Sequence, residues 1–334
     1  MAPKTITIIG SLNTDLVTLT PYVPAGGETM TATSFSTGPG GKGANQAVAC
    51  ARLSRANPST DKSSSTSPGD VVVKMMGGVG ADEFGPSLIA SLERDGIDTS
   101  GVRVIEETST GVAVILVEEE SGENRILLNP GANHALRPAD FKDPASLGTP
   151  LPDLIILQLE IPFDTVLQIL ETARLAGVEV LLNPAPAVPL PDQVYEAVTH
   201  LIVNETEAAL LGGTTVEEVE RTGSNWAAVA QKFITKGTKN VVITLGARGA
   251  LFANANGNSG ILQSGDKVNV VDTTAAGDTW VGAYALEVVR RQETKEPEEE
   301  SAAMAKAVRW ACKAAGRTCE KNGAQSAIPW ANEV

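Results

Sequence analysis

Residues 272–279, Asp-Thr-Thr-Ala-Ala-Gly-Asp-Thr, combine small side chains with an acid in a way that could serve phosphate chemistry. Small residues at 275–277, opening a long helical pattern, leave backbone N–H groups bare where the helix dipole also favours an anion. Asp278 then stands in the first helical turn. Acids there often merely complement the dipole, and taken alone that explanation suffices. Beside a phosphate cradle, however, it is where a base for a hydroxyl nucleophile would stand.

A second cluster is Gly38-Pro39-Gly40-Gly41-Lys42-Gly43, with Lys42, Asn45 and Gln46 crowding the start of a helix over 44–53. The G-x-G-x-x-G spelling invites a dinucleotide reading, which needs a strand just before it and an acid about 20 residues later. The nearest acid is Asp61, inside a Ser/Thr-rich loop, so dinucleotide binding is not expected. A Walker A loop fails too, because Gly43 follows Lys42 and Ser36 stands where the first glycine belongs. A polar-ligand site is the better reading. Asn13-Thr14-Asp15 and Asn204-Glu205-Thr206-Glu207 could be turn or N-cap chemistry. Their position after expected parallel strands raises them, because ligands bind beyond the carboxyl ends of such strands.

Those strands are short apolar runs at 5–10, 71–76, 154–157, 178–182, 201–203 and 241–244. Helical patterns fall between most of them, at 84–95, 163–176, 205–212 and 225–236, and a long one fills 277–291 and 302–319. Little-alternating strands separated by helices predict an α/β fold: a doubly wound, mainly parallel sheet with helices on both faces. Val268–Val271 also reads as strand-like. Residues 14–37 and 102–129 alternate instead, which predicts antiparallel strands forming a small β lid. Residues 54–70 hold eight Ser/Thr and two Pro and read as a loop, and the acidic run Glu293 to Glu300 as a solvated connection.

Composition narrows the partners. The 334 residues carry 26 Lys+Arg against 40 Asp+Glu, a net charge of −14, which argues against nucleic acid or an anionic membrane surface as partner. Two histidines, His134 and His200, exclude a His-rich metal site and read as incidental, in or beside loops. Three cysteines fit a reducing compartment, and Cys312 and Cys319 share a helix face as packing would have them. No apolar run reaches the roughly 18 residues of a membrane span and no signal-like stretch opens the sequence, so a cytoplasmic setting is expected, with the nucleus open as well.

Five segments taken in order resemble the ribokinase-like (PfkB) family of sugar kinases: Gly10 to Asp15, Gly40 to Ala47, Asn204 to Glu207, Thr244 to Gly249, and Asp272 to Asp278 followed by Gly282-Ala283. The resemblance runs from about residue 4 to Trp330 and implies a single kinase domain over 1–334. It implies ATP-dependent phosphorylation of D-ribose at O5, with deoxyribose, a hexose or a nucleoside as the alternative within the family. A nucleotide-binding regulator without catalysis is the alternative outside it, disfavoured by Asp278, Glu207 and Lys42 together. On the same resemblance, Asn13, Thr14 and Asp15 grip the sugar hydroxyls, and Gly41, Lys42, Gly43, Ala44 and Asn45 close over the sugar with Glu160. Asn204, the turn Thr244-Leu245-Gly246-Ala247-Arg248-Gly249, Gly277 and Cys312 belong to the ATP side. Asp278 is implied as the base, and Glu207 organises hydrated Mg²⁺. An activating K⁺ would be held by Asp272, Thr274, Thr318, Lys321 and Gly323, although Ala327 stands where the family usually has Ser. A homodimer through the β lid is also implied.

Overall fold

The computed structural model describes residues 3–60, 69–223, 225–263, 265–291 and 297–334. The middle of the Ser/Thr-rich loop and the start of the acidic run lie outside these residues. The chain enters β1 (Lys4–Ile9), turns at Gly10–Leu12 into β2 (Asn13–Thr20), and returns through β3 (Ser34–Gly40) to α1 (Lys42–Leu53). Then come β4 (Val71–Gly80), α2 (Phe84–Arg94), β5 (Asp98–Ile105), β6 (Gly111–Glu118) and β7 (Asn124–Asn129). The middle of the chain forms β8 (Leu154–Leu157), α3 (Phe163–Ala176), β9 (Glu179–Leu182), α4 (Asp192–Ala197) and β10 (His200–Asn204). Next are α5 (Glu205–Leu211), α6 (Val216–Arg221), α7 (Trp226–Thr235) and β11 (Asn240–Thr244). β12 (Ala250–Asn254), β13 (Ser259–Leu262), α8 (Ala276–Arg290) and α9 (Pro297–Cys319) close the order.

The large sheet runs β13-β12-β11-β10-β9-β8-β1-β4-β5, parallel from β11 to β5. Its apolar runs look continuous because both faces are covered. In β8, Leu154 and Ile156 join the core under α1, α2, α8 and α9, while Ile155 and Leu157 join the core under α3, α4, α5 and α7. The period of two along a strand thus feeds two cores instead of one core and solvent. The chain reverses its winding around β1, so the carboxyl ends of β1, β8, β9, β10 and β11 open toward one edge, where such folds place ligands.

The small sheet, ordered β3-β2-β6-β7, is the expected lid with two differences. Residues 102–105 are not part of it; they belong to β5, which pairs with β4 at the edge of the large sheet. Nor is the lid wholly antiparallel, since β2 and β6 run parallel from Asn13↔Gly111 to Thr20↔Glu118. Alternation reports which face of a strand is wet, and cannot report which strand it will pair with.

Three further expectations change. Val268–Val271 forms no strand: Val270 is 62% exposed, and the Val271 N–H donates to the Cys319 carbonyl at 2.8 Å. His200 is not a loop residue but a strand residue, 1% exposed, with Nδ1 2.9 Å from the Tyr284 hydroxyl. Burial lowers its pKa, so it is a neutral core histidine. The hairpin β12–β13 was not expected, although Asn256-Gly257 between alternating residues is a strong short-range hairpin signal.

Candidate active site

The site is assembled where β1 gives way to the lid and the helices α1, α5 and α8 begin. At the β1 exit, Gly43 packs so closely that a Cβ on it would lie 2.6 Å from the Ser11 nitrogen. Gly41, with φ +89°, admits the chain into α1, and a Cβ there would stand 2.7 Å from the Asn13 nitrogen. Those two glycines let the first turn of α1 lie directly on the β1–β2 connection.

Asn13 and Asp15, two apart on β2, share one face of the lid. Flanking glycines make room for them: a Cβ on Gly111 would fall 2.2 Å from Asn13 Oδ1, and one on Gly40 within 2.4 Å of the Asp15 carboxyl. Asn133, which the sequence did not single out, fixes Asn13 by donating to its Oδ1 at 2.7 Å while clasping the Leu12 backbone. Thr14 is buried between them. Glu160, just beyond β8, accepts from the Ser11 hydroxyl at 2.5 Å and from the Lys42 N–H at 3.0 Å. It therefore fastens the helix start as well as facing the site. Ala44 is core.

Asp278 is 8% exposed and accepts from Asn45 Nδ2 and Gln46 Nε2, each at 2.9 Å. Burial raises its pKa, while Lys42, Asn45 and Gln46 pull it down. Burial opposes the charge on Lys42, yet the carboxylates of Asp278, Glu160, Glu207 and Asp15 outweigh it and raise the ammonium's pKa. Asp15 is pushed up to about 7 by burial and by Glu160 and Asp278, against Lys42. Glu207 is raised by burial, though the Asn204 N–H and Lys42 work against it. Four carboxylates around one ammonium leave the centre short of positive charge.

α8 opens at Ala275, at φ 59° the single non-glycine residue with positive φ among the described residues. The space before the next turn is clear: a Cβ on Gly277 would meet nothing within 4 Å, and the same holds for Gly246. Asn204 and Glu207 cap α5 reciprocally, at 2.8 and 2.9 Å. So Asn204 is an N-cap, and it stands beside Thr244 across the β10–β11 pairing. In the 244–249 turn, Leu245 is buried, Ala247 is exposed, and Arg248 pairs with Glu205 and, at 3.0 Å, with Glu220. Cys312 lies under Trp280, whose indole N–H reaches its sulfur at 3.4 Å.

The expected cation segments also meet. Asp272 Oδ1 accepts from the Thr274 N–H and hydroxyl at 2.9 and 2.7 Å, and its Oδ2 accepts from the Gly323 N–H at 2.9 Å. The Thr318 carbonyl receives the Lys321 N–H at 3.2 Å. Ser326 donates to the Asn322 carbonyl at 3.3 Å, and its hydroxyl lies close over Gly323. Two surface cavities, of about 410 Å³ among Asp164, Gln168, Glu171 and Arg174 and of about 520 Å³ beside Glu287, Arg309 and Trp310, touch none of these groups.

The pfkB family carbohydrate kinase model matches residues 3–331. A ribokinase of Schizosaccharomyces pombe is 43% identical over 332 residues, covering 98% of this chain and 96% of its own. A deoxyribokinase of Salmonella typhi is 38% identical over 307 residues, covering 92% and 90%. Among solved structures, Arabidopsis thaliana ribokinase complexed with ribose and ATP superposes with a TM-score of 0.82 at 27% identity, covering 100% of this chain and 97% of that one.

Proposed function

The chain belongs to the pfkB family of carbohydrate kinases, and on that premise we propose an in-line transfer of the γ-phosphoryl group of ATP to O5 of D-ribose, with Asp278 as base. Phosphorylation of D-ribose by ATP is its reaction. The observation that carries the finer reading is Asp278 itself: a buried carboxylate with a raised pKa, in the first turn of a helix whose N-terminus faces open space. Asn13 and Asp15 hold the sugar from the lid. Lys42 neutralises charge beside the base, and Asp278 takes the proton of the attacking hydroxyl. Phosphoryl transfer asks the protein mainly for positioning and charge neutralisation, and these groups supply both. Closure of the lid over the sugar would keep water from competing.

Mg²⁺ fits this site in one manner. No cluster of three metal-binding side chains exists among the described residues, so a protein cage is not available. Glu207 would hold the ion through water while phosphate oxygens complete its shell, and the ion would supply the positive charge that the centre lacks. The meeting of the Asp272 and Gly323 segments, joined by the Gly323 N–H on Asp272, supports K⁺ there, where backbone carbonyls would hold the ion whatever their side chains. Two partners are weighed by charge and surface: −14 disfavours nucleic acid and anionic membranes, and no helix among the described residues is long and apolar enough to cross a membrane. Phe35, Ile126, Leu127 and Leu128 are exposed on the lid, which supports a homodimer formed there. A cytoplasmic or nuclear setting remains the expectation from cysteine usage.

The deoxyribokinase relative keeps a second sugar in view. One assay separates the readings: ADP release with ribose, deoxyribose, fructose and adenosine, first without K⁺ in tetramethylammonium buffer, then with K⁺ titrated in. Ribose is expected to give the highest kcat/KM, with turnover rising several-fold on K⁺ addition. A preference for deoxyribose would reassign the substrate, and a flat titration would remove the cation from the account.

A further inference from the structure

Asp278 sits at the centre of a chain of primary amides whose polarity is set from the carboxylate outward. A carboxylate only accepts, so Gln46 and Asn45 must both show it their nitrogens. Each then turns its carbonyl oxygen away, and each oxygen meets another amide donor. Gln158 Nε2 lies 2.6 Å from Gln46 Oε1, and Gln325 Nε2 lies 3.2 Å from Asn45 Oδ1. All five side chains are buried, from 0% exposed at Gln46 and Gln158 to 8% at Asp278. The outer oxygens, Gln158 Oε1 and Gln325 Oε1, are buried without a hydrogen-bond partner. A buried acceptor left unpaired is costly. Turning either glutamine over to relieve it would set oxygen against oxygen within the chain. The orientation of each inner amide is therefore held from both sides, by the carboxylate at the centre and by the glutamine N–H on its outer oxygen.

We propose that Gln158 and Gln325 are positioning residues for the reaction: they lock Asn45 and Gln46 in the single orientation that gives Asp278 two N–H donors. The proposal rests on the reading of Asp278 as base. Without Gln325, Asn45 can rotate by half a turn and present its carbonyl to Asp278. That favours the protonated carboxyl over the carboxylate, and so removes base from the enzyme at a given pH. Gln46 also donates to Asn183 Oδ1 at 3.2 Å, so losing Gln158 frees it less, and the Gln325 variant is expected to show the larger shift. The charged groups facing Asp278 are Lys42 on α1, Glu160 beyond β8, Asp15 on β2 and Glu207 on α5, and none of them is altered by changing either glutamine. The backbone at Gln325 has its own anchor. Arg52, paired with Asp95, donates to the Gln325 carbonyl at 2.6 Å and to that of Ile328 at 3.1 Å, so shortening the side chain's role need not release the turn.

The test is the pH profile of kcat/KM for ribose at saturating ATP in Gln158→Met and Gln325→Met, which keep volume and remove the donor, with Asp278→Asn beside them. Each glutamine variant is expected to move the acid limb upward by on the order of 0.5–1 pH unit, with its deficit narrowing at alkaline pH. ADP affinity should stay that of the parent. A purely structural role would lower activity equally at every pH, and an unmoved acid limb in the folded variants overturns the proposal. The two glutamines act on different oxygens of Asp278, so if one variant fails to fold, the other arm still decides. Normal turnover in Asp278→Asn would remove the base reading itself; an inactive Asp278→Asn with unmoved limbs would remove only the positioning role.

Discussion

Asp278→Asn is expected to lower kcat by roughly 10²–10⁴-fold, the range of a lost general base, while leaving a folded protein that still binds ATP. The loss would come from two sources. The amide cannot take the hydroxyl proton, and its own NH₂ would face one of the two donors that the carboxylate now satisfies, Asn45 or Gln46. That donor clash leaves a buried group unpaired at a cost of about 1–3 kcal/mol, partly offset by no longer burying a charge. The pH dependence has a fixed sign. Burial raises the pKa of Asp278, so the parent enzyme should gain kcat/KM as pH rises through an acid limb above the ordinary carboxylate range. Stopped-flow or coupled-assay turnover of purified Asp278→Asn within a few-fold of the parent would take Asp278 out of the chemistry.

Asp15→Asn is expected to do two opposite things: weaken ribose binding by roughly 10–100-fold and stabilise the ligand-free protein at neutral pH. Hydrogen bonds from hydroxyls to a charged acceptor are worth about 1.5–3 kcal/mol, which sets the first magnitude. The second follows from linkage. The Asp15 pKa is raised from 3.8 to about 7, so its contribution to stability is fully present below the unfolded value and is lost as pH rises through about 7. The cost at pH 8 is of the order of a few kcal/mol, shared with Glu160 and Asp278, whose charges help cause it. Melting temperatures should therefore diverge between parent and Asp15→Asn as pH rises from 5 to 8, the variant being the more stable. Ribose should also release protons on binding near pH 7, because its hydroxyls favour the ionised carboxyl. A stability gap that does not change with pH, or unchanged ribose affinity by calorimetry, would show that Asp15 is not the strained sugar ligand described here.

Much of this centre was legible because its chemistry is written locally. Lys42, Asn45 and Gln46 fall within one helical turn and a half, so spacing brings those three together, whereas only the family resemblance implied that Asp278, far along the chain, would join them. Gln158, Asn133 and Gln325 carried no such mark. Each is an ordinary polar residue near a strand or turn, and its partner lies far along the chain, Gln325 against Asn45 and Asn133 against Leu12 and Asn13. Ser11 carried no mark either, and its hydroxyl donates to Glu160, 149 residues away. The large sheet was readable for a different reason: strands covered on both faces leave continuous apolar runs, and the helices between them dictate parallel order. What could not be read was pairing. Val102 and Val104 alternate as the lid strands do, yet they lie in the strand beside β4. At 268–271 the β-branched residues favour a strand, but nothing offers its edge, and the segment instead leans on the end of α9 through Cys319.

The parallel pairing of β2 with β6 also bears on how the protein is made. A hairpin can close as soon as its turn exists, whereas β2 must wait for β4, α2 and β5 to pass before Gly111 can reach Asn13. Loop-closure entropy for such a long-range pairing is not recovered until the intervening chain has folded, so assembly of this sheet is a slow, high-contact-order event. During synthesis β2 can pair with β3 at once but must wait for β6. Until then β2 and β3 form at best a two-stranded ribbon with both edges free, the kind of intermediate on which chaperones act.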